Sequence, residues 1–427
     1  MPESKSRHAS RRSFLKSSAV AAGVAASLTL EQSAHAGGSD RLRVGLIGCG
    51  GRGTGAAEQA MKADRSVRLH AMGDAFEDQI TNSVNRLRDD KEIAAQIDMP
   101  QERRFVGFDA YRRVIECCDV VLLATPPGFR PIHMRAAVEA GKHVFAEKPC
   151  AVDAPGIRSV IATCDLARKR GLSVVGGLQL RYSDPHKEVV RRIHDGAIGQ
   201  IHTIQANDFR GPIWTRPRQP GWTDMVYQMR NWYYFTWLCG DFNVEQHVHM
   251  LDLCAWTKGE YPVRAVGTGG RQVRTLPEHG HIYDHFAIVY EFADGAKLFA
   301  QCRQQRGCAN DISVRVAGTR GRAVVHARQS ISNGQEWRYN GKENVAVQTE
   351  HDILFASIRN SRPINNGEYL TKSSLLAIMG RMAGYTGQTI TWDMAMNSKE
   401  DLSPPRYDWD VKLPTPPVAM PGVTRFV

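Results

Sequence analysis

The chain is poor in the features that would place it outside ordinary globular chemistry. Its nine cysteines (Cys49, Cys117, Cys118, Cys150, Cys164, Cys239, Cys254, Cys302 and Cys308) form no CxxC pair and no regular spacing. That excludes a disulfide framework or a zinc-type cluster, both of which need ligands at repeated intervals, and no metal is expected. We read them as mostly buried thiols, with an incidental disulfide left open. After the first 36 residues no stretch approaches 18 uninterrupted apolar residues, so no stable membrane span is expected. There is no internal repeat. Basic residues outnumber acidic ones, 55 to 44, yet no compact Lys/Arg cluster is interleaved with aromatics, which argues against a nucleic-acid partner. What remains is a 427-residue chain, 42% hydrophobic and 23% charged, long enough for two globular domains.

Some of the positive charge belongs to the N-terminus, where Lys5, Arg7, Arg11, Arg12 and Lys16 face only Glu3 and Glu31. Ser10-Arg11-Arg12-Ser13-Phe14-Leu15-Lys16 is followed by a mild apolar run, Ala19 to Leu30, and by Ala34-His35-Ala36. This resembles a twin-arginine export signal with a small-residue cleavage site over residues 1–36. The run falls short of the roughly 20 residues that cross a bilayer, so an anchor is the weaker reading. The expectation is recognition by the twin-arginine (Tat) export machinery, a mature chain starting near Gly37, and a periplasmic location.

From Leu42 the chain reads as a buried strand, Leu42 to Ile47, running directly into Gly48-Cys49-Gly50-Gly51-Arg52-Gly53. A strand, this glycine spacing and a helix over 54–63 together form a dinucleotide-binding fingerprint. Gly48 permits the tight turn, Gly50 and Gly51 admit a pyrophosphate, and Gly53 allows close helix packing. A second strand, Val67 to Met72, leads to Asp74, placed to accept hydrogen bonds from ribose hydroxyls and to repel a 2'-phosphate. NAD is thus preferred to NADP, although Arg52 offers a phosphate partner and Asp74 could instead cap the next helix. A further strand, Val120 to Ala124, ends in Thr125-Pro126-Pro127. A helix from about Pro131 to Ala140 then leads to Lys142 to Pro149. Since ligands sit beyond the carboxyl ends of parallel strands, Gly48, Asp74, Thr125 and Lys148 should meet in one crevice.

At Glu147-Lys148-Pro149 the sequence resembles the glucose-fructose oxidoreductase, inositol dehydrogenase and rhizopine-catabolism family, Gfo/Idh/MocA. The resemblance rests on the glycine loop, Thr125-Pro126 with His133, Ala140 to Val144, Glu147-Lys148-Pro149, Gly240-Asp241, and Glu245-Gln246-His247-Val248-His249-Met250-Leu251-Asp252. It implies an α/β architecture: a Rossmann domain over 41–160, an α+β substrate-binding and oligomerisation domain with a large, mostly antiparallel open sheet over 161–395, and a tail over 396–427. It also implies NAD(P)-linked chemistry on a sugar or polyol, cofactor contacts from Thr125, Pro126, His133, Glu147 and Lys148, and a homo-oligomer.

Chemically, oxidising a secondary alcohol requires a group to take the hydroxyl proton and a cation near the oxygen. Lys148 supplies the cation and His249, of ordinary pKa near 6.5, the base. Glu245 stands where the family commonly has aspartate. Four residues before His249, it would share a helical face with it and either orient the imidazole or bind a hydroxyl. His247 is a third titratable group, and Asp252 is read as either helix packing or a substrate contact.

Arg181 and Tyr182, in Gly177 to Pro185, are candidate hydroxyl binders, the alternative being a salt bridge and a core tyrosine. Trp214, Trp222, Trp232, Tyr233, Tyr234 and Trp237 stand among Arg210, Arg216, Arg218 and Arg230. Aromatic faces stack on pyranoses and arginines bind hydroxyls or acids, so this stretch is read as a sugar contact through Trp232, with a subunit interface or plain core as alternatives. Asp294-Gly295 marks a hairpin. Strands continue through Val314 to Ala317 and Ala323 to Val325, and Tyr283, Asp284 and His285 begin a strand that could reach the pocket. The tail from Ser403, rich in proline, should wrap the surface in extended form.

Outside the inner membrane little soluble NAD is available, so export implies a tightly held nucleotide. The reading is an exported oxidoreductase of a secondary hydroxyl on a sugar, glycoside or cyclitol. Its alternatives are an NAD-dependent redox-neutral glycosidase of the same family and a redox-silent ligand-binding protein that contains NAD.

Overall fold

The computed structural model describes residues 41–427, so the export signal expected over 1–36 lies outside the described residues. Six strands, β1 (Leu42–Ile47), β2 (Val67–Asp74), β3 (Arg104–Val106), β4 (Val120–Leu123), β5 (His143–Ala146) and β6 (Val174–Gly176), form a sheet in the order β3-β2-β1-β4-β5-β6. The registers at β2–β3, β1–β4, β4–β5 and β5–β6 are parallel. β4 is Val-Val-Leu-Leu and buried throughout, as a strand covered by helices on both faces must be. The order reverses between β1 and β4, which opens a crevice at the carboxyl ends of those strands.

The sequence boundary at 160 is corrected. It would cut the helix Ala154–Lys169, and β6, which pairs with β5, extends the first domain to Gly176. Hydrogen bonding decides this, since β6 is only three residues long and carries little periodicity of its own.

The second sheet has nine strands: β7 (Ile201–Arg210), β8 (Arg264–Gly270), β9 (His285–Glu291), β10 (Lys297–Gln304), β11 (Asp311–Gly318), β12 (Gly321–His326), β13 (Ser330–Ser332), β14 (Glu336–Arg338) and β15 (Ile390–Thr391), ordered β14-β13-β12-β11-β7-β10-β9-β8-β15. Its pairings are antiparallel except β7 with β10. The Asp294-Gly295 turn joins β9 to β10, with Gly295 at φ 87°, a conformation glycine adopts without a Cβ penalty. Alternation along β9 buries Phe286, Ile288 and Tyr290 on one face. The helix Gly367–Thr386 packs under β8 and β9 and also touches the helix Ala154–Lys169, so one almost fully buried helix joins both domains. The helix Ala346–Arg359 returns to the first domain and packs on the helix Gly51–Ala63.

Residues 398–427 contain no helix or strand, consistent with their proline content. No described helix is long and apolar enough to cross a membrane. All nine cysteines are free thiols, and only Cys117 and Cys308 are not buried.

Candidate active site

A cavity of about 600 Å³ opens at the carboxyl ends of the parallel strands, within the usual range for a small-molecule site. Its floor is largely backbone. Gly48 has φ 93°, and a Cβ there would lie 2.5 Å from the Thr125 nitrogen. A Cβ on Gly53 would lie 1.9 Å from the Gly48 oxygen, so the turn and the helix start pack against each other without room for a side chain. Gly51 differs: a Cβ there would meet nothing within 4 Å, because the position faces the cavity. The helix begins at Gly51, three residues before its expected start, so its free N–H groups and positive dipole end lie at the crevice. These features fit a dinucleotide pyrophosphate, which needs close backbone approach and N–H donors.

Asp74 ends β2 and lines the cavity. Its carboxylate accepts from Cys49 N at 2.7 Å and Phe76 N at 3.0 Å, which ties the strand end to the glycine loop. It does not cap the next helix, Glu77–Asp89, whose N-cap is Phe76. A carboxylate has about four acceptor positions, so two remain for ribose hydroxyls. Burial pushes its pKa up, against the pull of the two backbone donors.

Thr125, Pro126, His133 and Glu147 also line the cavity. His133 is buried and stacks on Tyr111 at 4.3 Å, and desolvation, with Arg130 nearby, pushes its pKa down to about 3. Arg52 lines the cavity but is committed elsewhere: it pairs with Glu147, with Glu350 at 2.9 Å, and with Gln59 Oε1 at 2.8 Å. Burial, then the Glu147 charge, pushes Glu350 well above the usual carboxylate range, because one guanidinium faces two acids. Glu350 escaped sequence reasoning because it arrives from a helix 298 residues away.

Lys148 follows β5 and meets Glu245. Its Nζ donates to Glu245 Oε1 at 2.8 Å and to the Glu245 carbonyl at 2.6 Å. The single helical face expected for Glu245 and His249 is corrected here. Glu245 ends the helix Phe242–Glu245, His249 lies in the next helix, Val248–Lys258, and His249 N reaches back only to Gln246 O, at 3.4 Å. The break leaves the Glu245 carbonyl available to the lysine. Both side chains still line the cavity. His249 Nδ1 is buried without a hydrogen-bond partner. Desolvation and then the Lys148 charge hold the imidazole pKa well below its ordinary value, so the ring is neutral, with Nδ1 unpaired. His247 is buried outside the lining, 3.8 Å from Asp208.

Other placements differ from expectation. Arg181 and Tyr182 do not line the cavity. Arg181 forms a bidentate pair with the buried Asp252, at 2.8–3.0 Å, and Ser373 donates to the same carboxylate at 2.6 Å. Tyr182 is buried and donates to Asn366 Oδ1 at 2.7 Å. A nearby acid and amide hold these groups away from the cavity. Asp252 is thereby a packing contact. Tyr283, Asp284 and His285 also lie outside the lining. Asp284 is consumed by the backbone N–H groups of Gln272, Val273 and Arg274.

The aromatic stretch divides. Trp214 and Trp232 line the cavity with Arg216 and Arg230, their indoles 6.0 Å apart at 61°. Trp214 is 43% exposed, whereas Tyr233 and Tyr234 are buried core. Arg210, Arg218 and Arg230 pair with Asp208, Asp224 and Asp78. Arg216 has no carboxylate among the described residues and sits 5.5 Å from the Trp214 ring. Among the described residues, no cluster of His, Cys, Asp and Glu could hold a metal ion.

Comparison with known proteins agrees with this geometry. Residues 42–176 match the model of an oxidoreductase family with an NAD-binding Rossmann fold, and residues 186–324 match a GFO/IDH/MocA C-terminal domain. An inositol 2-dehydrogenase of Burkholderia multivorans is 26% identical over 314 residues, spanning 70% of this chain and 80% of the relative. One from Rhizobium meliloti is 23% identical, spanning 68% and 77%. Among solved structures, the aldose-aldose oxidoreductase of Caulobacter crescentus complexed with glycerol superposes with a TM-score of 0.66 at 20% identity, covering 82% of this chain and 99% of that one. A myo-inositol 2-dehydrogenase of Lactobacillus plantarum gives 0.62 at 17% identity, covering 82% and 99%. These likenesses establish the fold.

Proposed function

Since the chain belongs to the Gfo/Idh/MocA family of NAD-binding oxidoreductases, we propose that it oxidises a secondary hydroxyl of a sugar, glycoside or cyclitol in the cavity bounded by Lys148, Glu245 and His249. The observation that carries this reading is the placement of Lys148 beside Glu245 at the end of the glycine-loop crevice. An ammonium has three donors. Glu245 takes two, and the third serves a substrate oxygen, stabilising it as negative charge develops. Neutral His249, on the same wall, takes the hydroxyl proton. Glu245 holds the lysine in position from both its side chain and its carbonyl. The nicotinamide, when bound, supplies the hydride acceptor.

NAD rather than NADP fits the carboxylate of Asp74 on the crevice wall, together with the commitment of Arg52 to Glu147 and Glu350. Trp214 and Trp232 form the mouth of the substrate region, and Arg216 gives it a cation free to meet hydroxyls or an acidic group. The twin-arginine motif of residues 10–16 supports export, and export in turn supports a nucleotide that stays bound between turnovers.

The test mixes protein purified with its nucleotide with a panel of cyclitols, free sugars and glycosides, beginning with myo-inositol. Absorbance at 340 nm is followed while products are weighed by mass spectrometry. A lasting rise with a product two hydrogens lighter is expected. Glycoside cleavage without net absorbance change would replace this reading with redox-neutral hydrolysis.

A further inference from the structure

The C-terminal tail does more than cross the surface. Phe76, Phe108 and Phe129 follow β2, β3 and β4 and line the cavity at the end marked by Asp74. Two tail rings back them from outside. Trp409 lies 5.5 Å from Phe76 and 4.4 Å from Phe108, and Tyr407 lies 5.5 Å from Phe129 and 6.2 Å from Phe108. The same segment is fastened to the second domain. Thr223 Oγ1 donates to the Trp409 carbonyl at 2.6 Å, Gln228 Nε2 donates to the Leu413 carbonyl at 2.6 Å, and Leu413 N donates to Asp224 Oδ2 at 3.1 Å. Upstream, Leu402 N donates to Asp153 Oδ2 at 3.0 Å, at the start of a first-domain helix. Arg230 adds to the junction, its guanidinium 3.8 Å from the Phe76 ring centre and paired twice with Asp78 at 2.7 Å.

We propose that residues 402–413 are a strap that slows nucleotide release, with Trp409 and Tyr407 as positioning residues for the cavity wall. The loops after β2, β3 and β4 have to move apart for a dinucleotide to leave. The strap resists this because it joins all three to the segment 223–230 of the other domain. The bonds that hold it are mostly to backbone carbonyls and amides, so they persist whatever substrate occupies the cavity. The inference rests on the reading that the nucleotide is retained, but release rate and retention are separable by experiment.

Full-length protein is loaded with radiolabelled NAD, and label loss is followed after a chase with excess unlabelled NAD, alongside bound-nucleotide content after dialysis and thermal melts. Trp409→Ala should release label about tenfold faster than the unaltered chain, the scale of two lost aromatic contacts. Trp409→Phe should restore most of the difference, and Asp224→Asn, which loosens the Leu413 anchor without touching a ring, should fall between. Release from Trp409→Ala and Asp224→Asn no faster than from the unaltered chain would overturn the strap, and Asp224→Asn alone decides this where Trp409→Ala does not fold. Rapid release from the unaltered chain, with still faster release from the variants, would uphold the strap and remove the retained-nucleotide reading.

Discussion

The two walls of the cavity are built differently. The wall from the first domain is mostly main chain: Gly48 against Thr125 and Gly53 against Gly48 leave no room for a side chain, and Gly51 opens onto the cavity. The chemical end of the cavity is side chains drawn from both domains and held by one another, with Lys148 on Glu245 and Trp214 beside Trp232. The first wall therefore holds a dinucleotide by its shape, with Asp74 at the ribose end, and the side-chain wall decides which chemistry follows. Substitutions should separate the two properties.

Acid should strain both walls together and gives the largest expected effect. His133, beside the main-chain wall, and His351, packed against Phe145 of β5, both have pKa values pushed down to about 3 by burial. His186 and His281 in the second domain are pushed down to about 3 and about 4 by the same cause. A folded-state value below the unfolded one, near 6.5, means that the unfolded chain binds more protons as pH falls, so this stability is complete above about pH 6.5 and is lost below it. At about pH 5.5 each histidine costs about 1.4 kcal/mol, or roughly 6 kcal/mol for the four. Asp241, raised by burial to about 6, works in the opposite direction and returns about 1 kcal/mol. Thermal melts at pH 7.5 and 5.5 should show a large fall in midpoint, and an unchanged midpoint would contradict the buried neutral histidines.

Lys148→Ala should break the side-chain wall and spare the other. Loss of a positioned proton donor to the developing oxyanion lowers kcat by about 10²–10⁴-fold. The main-chain wall is untouched, so bound NAD, measured by nucleotide release on denaturation, should stay at the level of the unaltered chain. Loss of nucleotide together with activity would show that the walls are not separable.

How much was legible in the sequence follows the same division. The glycine loop, Asp74 and Thr125 could be placed because a strand, a turn and a helix are local, and the rule that ligands sit at the carboxyl ends of parallel strands supplied the rest. The β9–β10 hairpin was legible for the same reason, through Asp294-Gly295. Arg181 was misread because an arginine near a pocket-lining segment looks the same whether it faces a substrate or a buried acid. Its partner, Asp252, lies 71 residues away. The break between Glu245 and His249 was hidden because i, i+4 spacing describes an unbroken helix, and here the lysine, not the helix, takes the carbonyl. In the tail, Tyr407 and Trp409 were two large aromatics in an otherwise polar, proline-rich segment, a signal that such a segment packs on something.

The smallest expected effect concerns the mouth. Trp214 is the most exposed of the cavity-lining indoles, and its neighbours Trp232 and Arg216 remain if it is removed. Stacking of a sugar face on one indole is worth on the order of 1 kcal/mol, so Trp214→Ala should raise KM by roughly fivefold to tenfold. Because the ring takes no part in proton transfer, kcat should hold, which is the signature of binding shared equally by ground and transition states. A fall in kcat with unchanged KM would instead place Trp214 on the reacting part of the substrate and move the boundary between recognition and chemistry outward to the cavity mouth.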